Sequence, residues 1–155
     1  MRDTSLVFPI RGDGEILLGR KRRGMGVGKW NGFGGKIEDG ETMAECAVRE
    51  LFEECGLVAS PSALEFVADI YFDLPSDPVW SHGGAVYFVR AWTGEPRASD
   101  EMEPRWFLPK DLPFDEMWEA DRIWLPRLLS GERLRGTVRF AEGGEHVTET
   151  EFESL

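Results

Sequence analysis

Residues 35–57 read Gly35-Lys36-Ile37-Glu38-Asp39-Gly40-Glu41-Thr42-Met43-Ala44-Glu45-Cys46-Ala47-Val48-Arg49-Glu50-Leu51-Phe52-Glu53-Glu54-Cys55-Gly56-Leu57. The stretch predicts one helix from Thr42 to Cys55, because its apolar residues recur at the i, i+3, i+4, i+7 spacing of a buried stripe: Ala44, Ala47, Val48, Leu51 and Cys55. Thr42 followed by Glu45 forms a capping box at the start. Gly56 lies where a left-handed cap is expected to end the helix.

The other face of this helix carries Arg49, Glu50, Glu53 and Glu54. The glutamates are separated by three and four residues, so their carboxylates share one face and repel by about 0.2–0.5 kcal/mol per pair. Divalent cations would remove this repulsion, and Mg²⁺ prefers oxygen ligands together with waters and substrate phosphates. A solvated acidic surface is the alternative for such a helix taken alone.

The fixed positions of this stretch resemble the Nudix box, which is Gly35, Glu41 and the run from Arg49 to Leu57. The resemblance to the Nudix hydrolase family implies an enzyme that needs Mg²⁺, with Mn²⁺ as a substitute. Together with the strands described below, it predicts an α+β domain over residues 1–155, a mixed β-sheet sandwiched between α-helices. The box then occupies residues 35–57.

The resemblance also implies roles for individual residues. The expected metal ligands are Glu50, Glu53, Glu54, Gly34 and, outside the box, Glu101. We expect Arg49 to orient Glu53, or alternatively to form an ordinary surface ion pair. Gly34 and Gly35 would allow the backbone to approach a metal or phosphate, or would simply form a tight turn. Which glutamate acts as the general base stays open, with Glu101 among the candidates.

Segments outside the box are similar to the branch of the family that hydrolyses oxidised purine nucleoside triphosphates. They are residues 24–36, 99–102 and 113–118 with Trp124 after them. This similarity implies a substrate pocket built from Asn31, Trp118, Asp121, Phe72, Lys21 and Met25. Asn31 would hydrogen-bond the base and Trp118 would stack on it, although core packing is the alternative for Trp118 and Phe72.

One position departs from that branch. Two adjacent aspartates are expected just after the stacking tryptophan, but the chain has Ala120 followed by Asp121. Losing one carboxylate leaves a polar group of the base unpaired, which costs roughly 1–3 kcal/mol. Glu119 offers a replacement only poorly, since it points about 100° away from Ala120 on a helix. The polar residue expected near Leu6 would be Thr4 or Ser5 only with a shifted register.

The remaining chain predicts strands and one more helix. Strands are expected at residues 6–10 and 15–18 around a hairpin-like turn, at 64–73, at 85–92 and around 106–108. A helix is predicted over 114–129, kinked or broken by Pro126 and ended by Gly131. A last hairpin is expected from 137–140 and 146–152.

Composition limits the function classes. The 155 residues suit one domain, and the net charge of -11 argues against binding a nucleic-acid polymer. No apolar run approaches the ~20 residues that span a bilayer, and the opening residues do not have the layout of a signal peptide, so we expect a cytoplasmic protein. Cys46 and Cys55 would lie roughly 13 Å apart on one helix, so no disulfide is expected between them. A monomer is expected.

Three hypotheses remain at this stage. The first is Mg²⁺-dependent hydrolysis of an oxidised purine nucleoside triphosphate, such as 8-oxo-dGTP or 2-hydroxy-dATP, to the monophosphate and pyrophosphate. The second is the same chemistry on another nucleotide: an unmodified or methylated dNTP, or an ADP-sugar. The third is a nucleotide-binding module without catalysis, which the intact Arg49, Glu50, Glu53 and Glu54 disfavour.

Overall fold

Two sheets and two helices make up the computed structural model, which describes residues 3–155. In chain order the elements are β1 (Thr4–Pro9), β2 (Ile16–Lys21), β3 (Trp30–Asn31), α1 (Met43–Cys55), β4 (Leu64–Asp73), β5 (His82–Val89), β6 (Met102–Phe107), α2 (Asp121–Leu129), β7 (Leu134–Phe140) and β8 (Val147–Ser154). Short 3₁₀ turns lie at Pro61–Ala63, Pro109–Asp111 and Phe114–Glu116. Met1 and Arg2, which belong to the opening segment where no signal peptide is expected, lie outside the described residues.

The larger sheet is mixed and has the strand order β1-β5-β4-β7-β8. Strand β1 pairs with β5 in parallel and β4 pairs with β7 in parallel, whereas β4–β5 and β7–β8 are antiparallel. The smaller sheet, β3-β2-β6, is antiparallel. Strands β7 and β8 confirm the predicted last hairpin, which turns through Gly143 and Gly144 at positive φ.

The two faces of the larger sheet bury two separate cores, because alternate side chains of a strand point to opposite faces. On β5, Val86 and Phe88 enter one core, and Tyr87 and Val89 enter the other. Helix α2 closes the first core with Trp124, Leu125 and Leu128. Helix α1 closes the second with Ala47, Leu51 and Cys55. The prediction of a mixed sheet between helices is therefore confirmed.

Helix α1 confirms the predicted caps. Thr42 accepts the Glu45 amide at 3.1 Å, and the Glu45 carboxylate accepts the Thr42 amide at 2.7 Å. Gly56 closes the helix at φ 81°, and its amide bonds to the Phe52 carbonyl at 2.9 Å. Among the described residues Cys46 and Cys55 are both free thiols, as expected. No helix within residues 3–155 is long and apolar enough to cross a membrane.

The prediction of one helix over 114–129 is wrong. Residues 114–116 form a 3₁₀ turn, Met117 is extended with φ -126° and ψ 169°, and the helix begins only at Asp121. Met117 is buried in the core in this extended conformation, and the Trp118 carbonyl accepts the Asp121 amide at 2.9 Å where the helix begins. Pro126 lies inside α2 without breaking it, because a nine-residue helix loses one amide donor while Trp124, Leu125 and Leu128 stay packed.

Strand limits shift by a few residues elsewhere, with β6 at 102–107 and β7 at 134–140, and two further differences from the sequence prediction affect the topology. Strand β5 covers 82–89 instead of 85–92, because it pairs with β1 from Gly84 to Val89 and with β4 back to His82. The turn at 11–14 reverses the direction of the chain, and Ile10 and Ile16 form an antiparallel bridge across it. However, β1 and β2 belong to different sheets, so this turn connects two sheets and does not form a β-hairpin within one sheet.

Candidate active site

The loop at residues 32–36 is held against β1. Its Phe33 amide donates to the Val7 carbonyl at 2.9 Å, and the Ser5 amide donates to the Gly35 carbonyl at 2.9 Å. A Cβ at Gly34 would lie 1.8 Å from the Ser5 carbonyl oxygen, so no side chain fits there. Gly34 therefore has a packing reason of its own, beside any approach to a ligand.

This loop faces the acidic side of α1. The Glu54 carboxylate accepts the Gly34 amide at 2.9 Å, and a Cβ at Gly35 would lie 2.7 Å from the carboxyl carbon of Glu50. The predicted loop and helix residues thus meet. The two carboxylates with the Gly34–Gly35 backbone provide the hard oxygen donors that suit Mg²⁺.

Glu54 is not the surface carboxylate that its position on the polar face suggests, since it is only 7% exposed. Burial raises the pKa of Glu54 to about 8; the negative charges of Glu50 and Glu101 add to this effect, while the Gly34 amide and the Lys21 charge oppose it. Burial also raises the pKa of Glu50. A bound cation would offset this accumulated negative charge.

The Arg49 guanidinium contacts several carboxylates on and near the acidic face of α1. Its guanidinium bonds to Glu41 at 2.7 Å and to Glu50 at 2.7 Å, and reaches Glu53 at 3.4 Å. It also donates to the Lys36 carbonyl at 3.2 Å. The hydrogen bonds from Arg49 lower the pKa of Glu41 to about 2. Arg49 therefore organises several carboxylates at once, and its contact with Glu53 is the longest of the three.

The carboxylates do not converge as closely as their helical spacing suggests. Glu54 turns inwards to Gly34, Glu50 is tied to Arg49, and the Glu53 side chain is 56% exposed. Among residues 3–155 no three acidic, histidine or cysteine side chains enclose a position for a metal ion. Mg²⁺ sites commonly use one or two carboxylates, several waters and the substrate phosphates, so the donor set still fits.

Glu101 lies near Lys21, outside the box. It precedes β6, where Met102 pairs with Lys21 of β2, and its carboxylate accepts a hydrogen bond from Arg23 Nε at 3.0 Å. That hydrogen bond lowers the pKa of Glu101, with smaller contributions from the charges of Arg23 and Lys21. Lys21 acts on both Glu54 and Glu101, so the predicted outer glutamate lies on the same side of the molecule as the box.

A cavity of about 260 Å³ opens beside Lys21. Its lining includes all six residues predicted for the substrate pocket: Lys21, Met25, Asn31, Phe72, Trp118 and Asp121. Thr4 and Ser5 also line it. The cavity is close to the ~300 Å³ lower limit for small-molecule sites. It can therefore hold a base while a longer phosphate chain extends outwards.

Sequence reasoning missed several other lining residues: Leu6, Lys29, Trp80, His82, Trp124 and Phe140. Trp80 donates its indole N–H to the Met25 sulfur at 2.9 Å, and Lys29 lies 5.1 Å from the centre of the Trp118 ring. Nothing local in the sequence marks Trp80, which lies in the loop before β5 and packs at the cavity against Met25 and Phe140, both distant in the sequence. Lys29 was detectable, since it lies in the Gly-rich basic loop.

Two polar side chains of the cavity wall, Asn31 and Asp121, could contact the edge of a base. The Asn31 oxygen accepts the Gly32 amide at 2.8 Å, which leaves its NH₂ group directed to other partners. Asp121 is 4% exposed, and its Oδ2 has no partner among the described residues. Ala120 is fully buried and lines the same wall. Glu119 does not replace the missing aspartate, because it accepts hydrogen bonds from His146 and Val147, each at 3.0 Å.

Burial raises the pKa of Asp121 from 3.8 to about 8, and the Trp118 backbone and Lys29 oppose this shift only partly. The unfolded chain therefore loses its proton near pH 4 while the folded protein keeps it, so stability falls as the pH rises towards 8. Asp121→Asn is expected to remove this loss and to stabilise the protein at pH 7.5 by roughly 2–5 kcal/mol, with little change at pH 4.

Denaturant unfolding between pH 4 and pH 8 measures this effect. The exposed Asp69→Asn on β4 is the matched control and should leave the pH dependence as in the parent protein. If Asp121→Asn keeps the parent slope, Asp121 is ionised in the folded state.

Comparison with known proteins places this geometry in a family. The NUDIX domain model matches residues 1–128. The chain is 40% identical over 144 residues to the oxidized purine nucleoside triphosphate hydrolase of Danio rerio, covering 92% of the chain and 88% of the relative. It is 39% identical over 128 residues to the protein of the same name from Mus musculus, covering 83% and 80%.

A solved structure agrees in fold. The MutT protein from Bacillus halodurans superposes with a TM-score of 0.84 at 22% identity, covering 99% of this chain and 98% of that one. On these grounds the chain belongs to the NUDIX family and is a Nudix hydrolase.

Proposed function

We propose that this protein hydrolyses an oxidised purine nucleoside triphosphate, such as 8-oxo-dGTP or 2-hydroxy-dATP, to the monophosphate and pyrophosphate, and so removes damaged precursors from the nucleotide pool. The observation that carries the proposal is the position of Lys21. It lines the base cavity, and on β2 it pairs with Met102, the residue after Glu101. Ser5 lines the same cavity, and its amide donates to the carbonyl of Gly35, next to the Gly34 amide that Glu54 accepts. A nucleotide with its base in the cavity therefore directs its phosphates towards the carboxylates.

Different residues of the site would bind the base, the phosphates and the metal. Trp118 and Phe72 hold the faces of the base, Asn31 and Asp121 contact its edge, and Lys21 binds the phosphate side. Glu50, Glu53, Glu54 and Glu101, with the Gly34 carbonyl, are the groups that would hold Mg²⁺, or Mn²⁺ in its place. When bound, the metal offsets phosphate charge and lowers the pKa of the attacking water. Arg49 keeps Glu50 and Glu53 in position.

Glu54 is the strongest candidate for general base. It is buried, fixed by the Gly34 amide and surrounded by other carboxylates, which is the environment that adjusts a carboxyl group for proton transfer. Glu101 lies farther out and is held by Arg23. We assign Glu101 to the metal instead of to the proton transfer.

The substrate preference is tested by assaying a panel of nucleotides. With Mg²⁺, pyrophosphate release should give a kcat/KM for 8-oxo-dGTP or 2-hydroxy-dATP at least about tenfold above that for dGTP or dATP. Equal values for all four, or faster cleavage of ADP-ribose, would support the second candidate, hydrolysis of another nucleotide, which Ala120 favours. Nucleotide binding without any turnover would contradict the enzyme proposal. A Mg²⁺ titration against Mn²⁺ in the same assay tests the cofactor.

Stacking on Trp118 has its own test. Trp118→Ala is expected to raise KM about 10- to 100-fold with a smaller change in kcat, because base–aromatic stacking contributes about 1–3 kcal/mol. The rise should far exceed that of Asp121→Glu, which retains a carboxyl group. Trp92→Ala is the matched control, since Trp92 stacks on Trp106 away from the cavity. Comparable KM values for the Trp118 and Asp121 variants would argue against stacking.

We also propose that the protein acts as a cytoplasmic monomer on a small molecule and not on a nucleic-acid polymer. The free thiols of Cys46 and Cys55 are consistent with a reducing compartment, and the net charge of -11 disfavours a polymer of phosphates. Sedimentation equilibrium at micromolar concentration tests the oligomeric state. A dimer mass would contradict the monomer.

A further inference from the structure

Met25 lies at the mouth of the base cavity, on the Gly-rich loop between β2 and β3. It lines the cavity and is nevertheless 63% exposed. Its sulfur accepts the indole N–H of Trp80 at 2.9 Å, in an exposed contact that joins this loop to the loop before β5. The next residue, Gly26, lies against Trp118, since a Cβ at Gly26 would be 3.1 Å from Trp118 Cζ2. A change at Met25 therefore acts on two of the tryptophans that line the cavity.

Exposure to solvent distinguishes Met25 from the other sulfur-containing side chains that the structure describes. Those others are buried or half-buried: Met43, Cys46, Cys55, Met102 and Met117. Oxidation of sulfur in proteins is selective for accessible side chains. An oxidant in solution therefore reaches Met25 more readily than the remaining thioethers and thiols of residues 3–155.

We propose that Met25 is an oxidation site at which a hydroperoxide weakens nucleotide binding, and that reduction of the resulting sulfoxide restores binding. This inference rests on the proposed function and adds a form of regulation to the same site. In the reaction a lone pair of the Met25 sulfur attacks one peroxide oxygen, so that the S–O bond forms as the O–O bond breaks. The sulfur is oxidised by two electrons and the peroxide is reduced. With hydrogen peroxide, the leaving oxygen takes the proton of the transferred oxygen and departs as water.

Oxidation changes the contact across the cavity mouth. A thioether is a weak acceptor, whereas a sulfoxide is polar and accepts through its oxygen. Because the sulfur is only 2.9 Å from Trp80 Nε1, an added oxygen does not fit between the two atoms. The Trp80 N–H keeps a partner on Met25 only if Met25 moves, and Gly26 moves with it. Trp118, which Gly26 contacts, then loses part of the geometry that stacking on a base requires.

The test treats the parent protein with hydrogen peroxide, removes the peroxide with catalase, and measures peptide masses, the Kd of 8-oxo-dGMP and the KM for 8-oxo-dGTP. We expect the Met25 peptide to gain one oxygen atom. Kd and KM should rise about three- to tenfold, which is less than for Trp118→Ala because the ring is still present. Methionine sulfoxide reductases, one for each sulfoxide epimer, should return both constants to the untreated values.

Two variants serve as controls, each compared with its own untreated sample. Met25→Leu should not respond to peroxide, because leucine fills a similar volume without a sulfur atom. Met43→Leu is the matched control, since it removes a half-buried methionine of α1 and leaves Met25 in place. It should respond to peroxide as the parent protein does.

Three results would overturn the inference: oxygen gained at other residues while Met25 stays unmodified, an unchanged Kd with Met25 oxidised, or an equal loss of affinity in Met25→Leu. The first two measurements use the parent protein, so they do not depend on a variant folding. An untreated parent protein that hydrolyses no nucleotide would contradict the proposed function. A rise in the Kd of 8-oxo-dGMP on oxidation would, even then, support the role of Met25.

Discussion

Glu54→Gln is expected to lower kcat/KM by about 10²–10⁴-fold, because a glutamine amide cannot accept the proton that a carboxylate takes as general base. The fold should survive, since the glutamine amide oxygen can still accept the Gly34 amide that Glu54 binds at 2.9 Å. The substitution also removes a carboxyl group that burial disfavours as an anion. Steady-state kinetics with Mg²⁺ and thermal unfolding measure the two effects.

The control is Glu45→Gln on the same helix. A glutamine also completes a capping box, so this variant should keep both activity and stability.

Glu53→Gln should abolish turnover as well, since Glu53 is an expected metal ligand, and its exposed side chain makes unfolding a smaller risk. A Glu54→Gln protein that does not fold would make Glu54 a structural residue, whereas one that folds and keeps full activity would move the general base elsewhere.

Arg49→Ala is expected to reduce both stability and activity. The guanidinium pairs with Glu41 and Glu50 at 2.7 Å, and its loss leaves those partly buried carboxylates without their main partner. We expect a loss of about 1–3 kcal/mol in the free energy of unfolding. We expect kcat/KM to fall by at least about 100-fold, because Glu50 and Glu53 are no longer held in position. Urea unfolding and kinetics at one pH measure both.

Arg49→Lys should restore little of either property. A lysine ammonium is a single charged point and cannot contact several carboxylates in the planar geometry of a guanidinium. Arg127→Ala is the control, because Arg127 of α2 forms an exposed ion pair with Glu132, which follows the helix, and such pairs contribute about 0–1 kcal/mol. An Arg49→Ala variant with parent activity would reduce Arg49 to a surface ion pair, which is the alternative that its i, i+4 spacing to Glu53 left open.

Local patterns predicted helix α1 closely, because its limits depend on short-range interactions. The capping box of Thr42 and Glu45 and the left-handed Gly56 involve only neighbouring residues. Strand β4 was likewise predicted at its observed limits, 64–73. The start of helix α2 was not, since Met117 is buried in the core and Trp118 packs at the cavity near Gly26 and Lys29, and both sets of contacts involve residues distant in the sequence.

The candidate site, too, was predicted from the sequence only in part. The sequence by itself determined the Nudix box, the acidic face of α1 and the six pocket residues, because the family resemblance depends on residue identity and spacing. Only the tertiary structure decided that Glu54 is buried, that Arg49 prefers Glu41 and Glu50 to Glu53, and that Trp124 lies at the cavity wall. Burial and hydrogen bonding depend on which distant segments meet, here β1 with the Gly34 loop and α2 with the sheet, and no local spacing specifies those contacts.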